Sequence, residues 1–191
     1  MCRNKNQERL LIVGAGGFGR VVSEHARRLY DCAFIDDGYE ADQKICDIPV
    51  LGHISDLGEL RAAYDKLIVA IGNNVLREKI YGRAIGMGYT FPNIICDSVY
   101  VSPYAEVGWG CVFLNNVVIQ NGSSVGNGVL LNPGVEIHHG CSVADYALIY
   151  TNSVIRTEAK VGNRVRIGSN VSISNGIIVR DDADIENGMT L

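Results

Sequence analysis

A six-residue period runs through the second half of the chain and restricts its fold more than any other feature. In steps of six from Ile95 to Leu191, every residue reached is a bulky apolar one. The residue four places after each of these as far as Ile185, from Val99 to Met189, is apolar or small. An ordinary α-helix or alternating strand does not have this period, whereas a short strand followed by a tight corner does. The pattern therefore predicts a solenoid of short strands with two inward columns of side chains.

The corners of this solenoid have their own residue preference. Gly, Asn or Asp stands three places after the bulky residue at Gly110, Asn116, Gly122, Gly128, Gly134, Gly140, Asn152, Asn170, Gly176, Asp182 and Gly188. These residue types suit a corner that needs a positive φ. Three such faces close one coil of 18 residues, so residues 95–190 form a little over five coils, with strands stacked about 4.8 Å apart. We therefore expect a parallel β-helix.

The first half opens with the pattern of a βαβ unit. Residues 9–37 contain a strand "RLLIV", a turn "GAGGFGR", a helix "VVSEHARRL" and a second strand "CAFIDD". The turn satisfies GxGxxG, and Asp36 follows it by about twenty residues. Free N–H groups at such a turn favour a phosphate, and an acid at the end of the second strand suits hydroxyl or imide donors. A nucleotide is the favoured ligand, with NAD as one candidate and a ligand-free tight turn as the alternative.

The rest of the first half is short. We expect a helix in "DLGELRAAYD", a strand in "KLIVAIGNN" and a helix in "VLREKIYGRAIGMG" that places Leu76, Ile80 and Ala84 on one face. For Arg77 we expect a surface or capping position. This is about half of a dinucleotide-binding fold, enough for one nucleotide. The predicted architecture is an α/β, half-Rossmann-like nucleotide-binding domain over residues 1–92 and an all-β domain over residues 93–191.

Charge and cysteine content exclude several classes of protein. The net charge is -4 with no basic run, which disfavours binding to nucleic acid or to an anionic membrane. No apolar run approaches the roughly 18 residues that span a bilayer, and residues 1–9 are too polar for a signal peptide. The six cysteines show no CxxC spacing, so we expect buried thiols and no metal site. A cytoplasmic protein is predicted.

The combination of both halves carries a resemblance to a known family. The hexapeptide pattern resembles the left-handed parallel β-helix of bacterial acyltransferases, which usually form homotrimers with active sites between subunits. Together with "GAGGFGR", "FIDD" and "VAIGNNVLREKIY", it resembles bacterial sugar acetyltransferases of the UDP-4-amino-4,6-dideoxy-sugar and sialic acid types. The resemblance implies acetyl-CoA-dependent N-acetylation of a UDP-amino sugar in surface glycan synthesis. O-acetylation of sialic acid or another sugar, and a degenerate relative that binds a UDP-sugar without transfer, are the alternatives.

The resemblance also implies roles for particular residues. It assigns the UDP-sugar to Gly14, Gly16, Gly17, Gly19 and Arg20 near the diphosphate, Asp36 and Asp37 near uridine, and Gly72, Asn73 and Asn74 nearby. Within "LNPGVEIHHGC", His139 falls on the catalytic base, His138 is a weaker candidate and Asn132 is an active-site neighbour. Thr157 and Gly168 are assigned to acetyl-CoA. A histidine suits proton removal from the acceptor near neutral pH.

Four departures from the family pattern affect this assignment. The acid that orients the family's base is replaced by Gly140, and a second family histidine by Leu148. A family glycine one coil above the base is Thr157, whose backbone N–H can still serve an oxyanion. The sequence ends at "GMTL", where the family continues into a tail, so we expect a less covered coenzyme. A poorly oriented base is more tolerable for an amine, with a pKa of about 8 like α-amino groups, than for a hydroxyl, and we therefore expect N-acetylation.

Overall fold

The computed structural model describes residues 7–191. Contacts divide the chain into two compact units, of which the first ends at Ile94 and the second spans Ile95–Leu191. The boundary expected from the sequence falls two residues earlier than this division. The prediction that residues 1–9 are too polar for a signal peptide falls largely on residues 1–6, which lie outside the described residues.

The first unit is built on a three-stranded parallel sheet. Its elements in chain order are β1 (Arg9–Val13), α1 (Gly17–Ala26), β2 (Asp31–Ile35), β3 (Lys44–Ile45), β4 (Ile48–Pro49), a 3-10 helix (Ile54–Asp56), α2 (Leu57–Leu60), β5 (Lys66–Val69) and α3 (Asn74–Gly86). The order β2-β1-β5 places β1 in the centre. Four consecutive apolar residues of β1, from Leu10 to Val13, are fully buried, as expected for a parallel strand covered on both faces. Strands β3 and β4 form a separate antiparallel hairpin.

The two later helices differ from the sequence prediction. The helix expected over residues 56–65 is wrong in extent: only Leu57–Leu60 is α-helical, and Gly58 within it has poor helix propensity. In α3, Ile80 and Ala84 are buried as predicted, but Leu76 is 41% exposed. Arg77 is fully buried instead. This corrects the surface or capping position expected for it, because its guanidinium donates to the carbonyl of Ile71 at 2.8 Å and to Asn74 Oδ1 at 2.9 Å.

The second unit is a parallel β-helix, as the hexapeptide period predicts. Its strands are β6 (Ile94–Ile95), β7 (Tyr100–Val101), β8 (Glu106–Val107), β9 (Val112–Phe113), β10 (Val118–Ile119), β11 (Ser124–Val125), β12 (Leu130–Leu131), β13 (Glu136–Ile137), β14 (Ser142–Val143), β15 (Leu148–Ile149), β16 (Val154–Ile155), β17 (Lys160–Val161), β18 (Arg166–Ile167), β19 (Ser172–Ile173), β20 (Ile178–Val179) and β21 (Asp184–Ile185). They form sheets of five, five and six strands. Paired residues such as Val118 and Glu136 are 18 positions apart, so one coil contains three hexads.

The inward columns form the core of the β-helix. The bulky column is buried from Phe113 to Val179, while its two ends, Ile95 and Leu191, are exposed. The smaller column is buried from Cys111 to Val171. Burial of these aliphatic side chains contributes about 1.5–3 kcal/mol each relative to exposure, and this burial drives the coiling.

The corner residues have the positive φ that was predicted from their residue types, and three further corner residues share it. All eleven Gly, Asn and Asp corner residues named from the sequence have positive φ values, between 55° and 73°. The same column continues through Tyr146, Glu158 and Arg164, with φ values of 60°, 61° and 55°. Those three were not recognisable from residue type. Stacking against the corners above and below therefore imposes the conformation even where the side chain disfavours it.

A ladder of Asn and Asp side chains satisfies the backbone N–H groups of one corner. Asn127 donates its N–H to Asp145 Oδ1 at 2.7 Å, and Asp145 donates its own to Asn163 Oδ1 at 3.2 Å. Asn163 in turn donates to Asp181 Oδ1 at 2.8 Å. Each side chain thus caps the N–H group one coil below it. The corner that carries the histidines can be compared with this one by asking which of its backbone N–H groups are capped.

Candidate functional site

The first unit gathers its predicted nucleotide residues at one edge of the sheet. The glycine loop follows β1, Asp36 follows β2, and residues 72–74 follow β5. Because the three strands are parallel, their carboxyl ends meet at the same edge, where ligands of open α/β sheets bind. The Asp36 carboxylate joins two of these segments, since it accepts the N–H of Ala15 at 2.7 Å and that of Gly38 at 2.8 Å.

The glycines of the loop divide into two groups. A side chain on Gly14 would meet the carbonyl oxygen of Ala70 at 2.9 Å, and one on Gly19 would collide with the backbone of Gly14. These two glycines permit the tight turn and the close approach of helix to strand. By contrast, no heavy atom lies within 4 Å of a Cβ built on Gly16 or Gly17. Gly16 is the N-cap of α1 and offers no side-chain cap, so these two exposed positions leave space for an anion at the helix N-terminus.

Most of the other residues predicted to bind the nucleotide also make hydrogen bonds that stabilise the segments at this edge of the sheet. Asn73 caps α3 by accepting the N–H of Leu76 at 2.9 Å, and Asp37 accepts the N–H of Ile54 at 2.8 Å. Arg20 donates to the carbonyl of Ala15 at 3.1 Å and to the Tyr39 hydroxyl at 3.0 Å. The structure thus brings Arg20, Asp36 and Asp37 to one edge with the glycine loop, while Gly72 and Asn73 are exposed beside it.

A second candidate site lies entirely in the β-helix, along one of its corners. A cleft of about 790 Å³ is lined by residues from three successive coils: Tyr100, Ser102, Pro103, Tyr104, Gln120, Asn121, Gly122, His139 and Gly140. Tyr100 and Tyr104 are 56% and 73% exposed. The hexapeptide pattern does not distinguish these tyrosines, and the signal that marks them is a large aromatic residue at an outward position.

The His139 imidazole meets a hydroxyl from the next coil. Its Nε2 lies 3.2 Å from Thr157 Oγ1. No other side-chain group within residues 7–191 makes a hydrogen bond with the imidazole. The ring is in an exposed part of the corner and borders the cleft. A histidine held at one nitrogen and open at the other has the arrangement of a general base.

The backbone N–H of Thr157 has no acceptor in the described part of the chain. One coil below, the N–H of His139 donates to Gln120 Oε1 at 3.0 Å. His138 stands at the position equivalent to Gln120, but its Nε2 is directed to Glu136 Oε2 at 3.4 Å. Asn175, one coil above, does not cap Thr157 as the ladder residues cap the other corner. An unpaired N–H donor therefore lies beside the imidazole, as stabilisation of an oxyanion requires.

The remaining predicted residues of this domain have structural partners. His138 pairs with Glu136 and does not line the cleft within residues 7–191, nor does Asn132, whose side-chain amide donates to the carbonyl of Ile149 at 3.4 Å. Gly168 donates its N–H to Ile185 at 2.8 Å and accepts the Ser153 hydroxyl at 2.6 Å. A side chain on Gly168 would lie 2.7 Å from the backbone nitrogen of Asn187, so the packing of the coils requires glycine there.

The cysteine two residues beyond His139 is buried. Burial raises the pKa of the Cys141 thiol, which keeps this neighbour of His139 protonated and a poor nucleophile. Across residues 7–191, no group of three or more His, Cys, Asp or Glu side chains is arranged to hold a metal ion. Within the same residues, no helix combines the length and the apolar character that crossing a membrane demands.

Comparison with known proteins relates both halves to one group. Residues 9–84 match the family of the PglD N-terminal domain. A perosamine N-acetyltransferase variant from Caulobacter crescentus, solved in complex with CoA and GDP-perosamine, is 26% identical, with a TM-score of 0.91 over 96% of this chain and 88% of that one. The acetyltransferase domain of PglB from Neisseria gonorrhoeae is 28% identical, with a TM-score of 0.91 over 97% of this chain and 91% of that one. The same domain in complex with acetyl coenzyme A is 29% identical over 97% of this chain and 96% of that one, with a TM-score of 0.86.

These comparisons confirm the resemblance and the fold class predicted from the sequence. The three-stranded α/β unit corresponds to the matched N-terminal domain, and the hexapeptide coils correspond to the rest of the solved acetyltransferases. Residues 9–84 match the PglD N-terminal domain family, and the whole chain is similar in structure to bacterial sugar acetyltransferases with a left-handed parallel β-helix.

Proposed function

We propose that this protein transfers the acetyl group of acetyl-CoA to the amino group of a nucleotide-linked amino sugar, in the synthesis of a bacterial surface glycan. The observation that carries the proposal is the corner at His139. An imidazole bordering a cleft is joined through Nε2 to the Thr157 hydroxyl, and the Thr157 N–H beside it lacks an acceptor among residues 7–191. Acyl transfer needs this pair of functions, a base for the acceptor and a donor for a developing negative oxygen.

Each residue has a distinct part in this chemistry. The amino nitrogen of the sugar attacks the thioester carbonyl of bound acetyl-CoA, so that a C–N bond forms and the C–S bond breaks, and coenzyme A leaves as the free thiol after the proton taken up by His139 passes to its sulfur. His139 accepts the proton that the amino group of the sugar loses, and the Thr157 N–H stabilises negative charge on the carbonyl oxygen. An amine with a pKa of about 8 has an appreciable neutral fraction, about one fifth near pH 7.4, so a histidine without a carboxylate partner is a sufficient base. We therefore assign N-acetylation rather than O-acetylation, and we assign the supporting roles to the cleft residues rather than to His138.

The sugar nucleotide is assigned to the first unit. The open positions at Gly16 and Gly17 suit the diphosphate, and Asp36 and Asp37 suit the nucleoside. The proposed acceptor is a UDP-4-amino-4,6-dideoxyhexose, as the sequence resemblance implies. The Caulobacter relative was solved with GDP-perosamine, so a GDP-linked amino sugar is the competing acceptor in any test. Asn74 retains only a supporting role, because its side-chain oxygen already accepts from Arg77 at 2.9 Å.

We also propose a homotrimer with active sites between subunits, located in the cytoplasm. The cleft beside His139 is open and bordered by the exposed Tyr100 and Tyr104, and a neighbouring subunit would enclose it. Asn132 and Gly168 do not reach this cleft within one chain, so any catalytic part for them depends on a neighbouring subunit. The five cysteines of residues 7–191 are all free, which agrees with a reducing compartment.

The test is acetyl transfer from acetyl-CoA, followed by release of the free thiol. The acceptor panel contains UDP- and GDP-linked 4-amino sugars, free sialic acid and the same nucleotide sugars without an amino group. We expect turnover only with a nucleotide-linked amino sugar, and a loss of about 10²–10⁴-fold in kcat for His139→Ala. His138→Ala is the matched control and retains its rate.

Two results would contradict the proposal. An unchanged rate in His139→Ala removes the histidine from its role as base. Binding of the nucleotide sugar without any calorimetric signal for coenzyme A, and without turnover, identifies a relative that has lost acetyl transfer. The replacement of the family's orienting acid by Gly140 makes this second outcome a specific alternative.

A further inference from the structure

The side chain of Thr157 has a position that neither the sequence pattern nor the proposed oxyanion role explains. Its backbone N–H is the group assigned to the oxyanion, whereas its hydroxyl is directed to His139 Nε2 at 3.2 Å. Thr157 is partly exposed and follows His139 by one coil. The two side chains therefore stack in the same corner column of the β-helix, where backbone spacing fixes their separation.

A hydrogen bond at one ring nitrogen has consequences for the other. In neutral imidazole only one nitrogen carries a proton, so a partner at Nε2 selects the tautomer as well as the ring orientation. Nδ1 has no side-chain or backbone partner within residues 7–191. If Thr157 Oγ1 accepts the Nε2 proton, the Nδ1 lone pair remains available to an acceptor substrate. An unanchored ring would instead divide its time among rotamers and tautomers, and the productive fraction would fall.

The chain also lacks the usual alternative partner. The resemblance places an acidic residue directly after the base, and here that residue is Gly140, at a φ of 70°. Backbone strain alone does not exclude an acid at this corner, since Glu158, one coil above, has a φ of 61°. Although the Glu158 side chain lies near Gly140, with its Cγ 3.4 Å from a Cβ built on that glycine, no carboxylate of residues 7–191 makes a hydrogen bond with the His139 ring, and the Thr157 hydroxyl is the side-chain group that holds it.

We propose that Thr157 is the positioning residue for His139: its hydroxyl accepts the Nε2 proton, fixes the ring and leaves Nδ1 as the base. This inference rests on the proposed function for its catalytic meaning. The hydrogen bond itself is a property of the free enzyme and can be tested without a substrate.

The experiment compares Thr157→Val, which keeps the branched shape without the hydroxyl, with Thr157→Ser, which keeps the hydroxyl. In the free enzyme, the ¹⁵N resonances of the His139 ring report its tautomer, and His139→Ala identifies them among the four histidines. We expect Nε2 to be protonated in the parent and in Thr157→Ser, and the two tautomers to mix in Thr157→Val. With the amino-sugar acceptor, Thr157→Val lowers kcat about tenfold with little change in KM, and Thr157→Ser restores most of it.

A third variant restores an acidic residue at the position directly after His139. Gly140→Glu places a carboxylate beside the base, and in the Thr157→Val background we expect it to recover part of the lost kcat. Identical ring spectra in the parent and Thr157→Val would overturn the proposal, as would a Thr157→Ser variant as impaired as Thr157→Val. If no acceptor is acetylated by the parent, the proposed function fails, while the ring spectra still decide whether Thr157 holds the imidazole. Circular dichroism of each variant verifies that the β-helix is intact.

Discussion

Two glycines in neighbouring coils of the β-helix should respond differently to the same added methyl group. Gly176 has a φ of 70°, and no heavy atom lies within 4 Å of a Cβ built on it. Gly162 is not among the residues with positive φ, but a Cβ built on it lies 2.6 Å from the backbone nitrogen of Asp181 and 2.9 Å from the carbonyl carbon of Arg180. Gly176→Ala therefore tests backbone strain alone, and Gly162→Ala tests steric overlap between coils.

The expected magnitudes follow from these two causes. In Gly176→Ala, a left-handed conformation costs about 1–2 kcal/mol, and the loss of unfolded-state freedom returns about 0.4–1 kcal/mol. We expect the free energy of unfolding to fall by about 0.5–1 kcal/mol. In Gly162→Ala, overpacking against backbone atoms costs about 1–3 kcal/mol. It also displaces Asp181, which accepts two hydrogen bonds from Asn163, so we expect a loss of about 2 kcal/mol or more.

The assay uses the single tryptophan of the chain. Trp109 lies in the β-helix, with its ring 6.5 Å from that of Tyr146, so its fluorescence reports the unfolding of this unit. Urea titrations of both variants give the change in midpoint at constant slope. An equal or larger loss of stability in Gly176→Ala than in Gly162→Ala would contradict this prediction, because it would mean that the coils are not packed at the spacing described.

Three further predictions concern the glycine loop, the thiols and the acid stability of the β-helix. Asp36→Ala removes the acceptor of the Ala15 N–H, so we expect calorimetry to show weaker binding of the nucleotide sugar; unchanged affinity would exclude Asp36 from the site. Burial raises the pKa of Cys32 to about 12, whereas Cys46 is exposed. At pH 8 a thiol reagent should therefore modify Cys46 first among the cysteines of residues 7–191, which peptide mass spectrometry can verify. Rapid modification of Cys32 would contradict its burial. Hydrogen bonds from the side-chain amide and then the backbone N–H of Asn163 lower the pKa of Asp181. Because the folded-state pKa lies below the unfolded value of about 3.9, the stabilisation by ionised Asp181 is complete above that value and is lost as the pH falls through the folded-state pKa. Fluorescence-detected unfolding should therefore show a shallower acid dependence in Asp181→Asn, and identical pH profiles would argue against this ladder contact.

The β-helix was predictable because its signal is repeated. A bulky residue every six positions and Gly, Asn or Asp at most corners are independent indications of the same coil, and the described coils follow both. Tyr146, Glu158 and Arg164 could not be placed by residue type, since their positive φ is imposed by neighbouring coils. The glycine loop of the first unit was equally visible, because Gly14 and Gly19 are required by close backbone contacts.

Side-chain partners across coils were harder to predict. The sequence indicated His139 as the base but gave no reason to connect it with the hydroxyl of Thr157, which is 18 residues away. The same limit applies to Arg77, which the helical pattern placed near the surface and which is fully buried. A helical pattern records apolar character, and it cannot show that a guanidinium will satisfy the carbonyl of Ile71 and the amide of Asn74.

The most direct test of the account is a crystal structure of the protein with coenzyme A and the nucleotide-linked amino sugar that it acetylates. We predict that the amino nitrogen of the sugar lies within about 3.2 Å of a His139 ring nitrogen, the distance expected for a general base, and that the diphosphate lies at Gly16 and Gly17. A bound sugar whose amino group is remote from His139 and closer to another titratable side chain would contradict the assignment of His139 as the base.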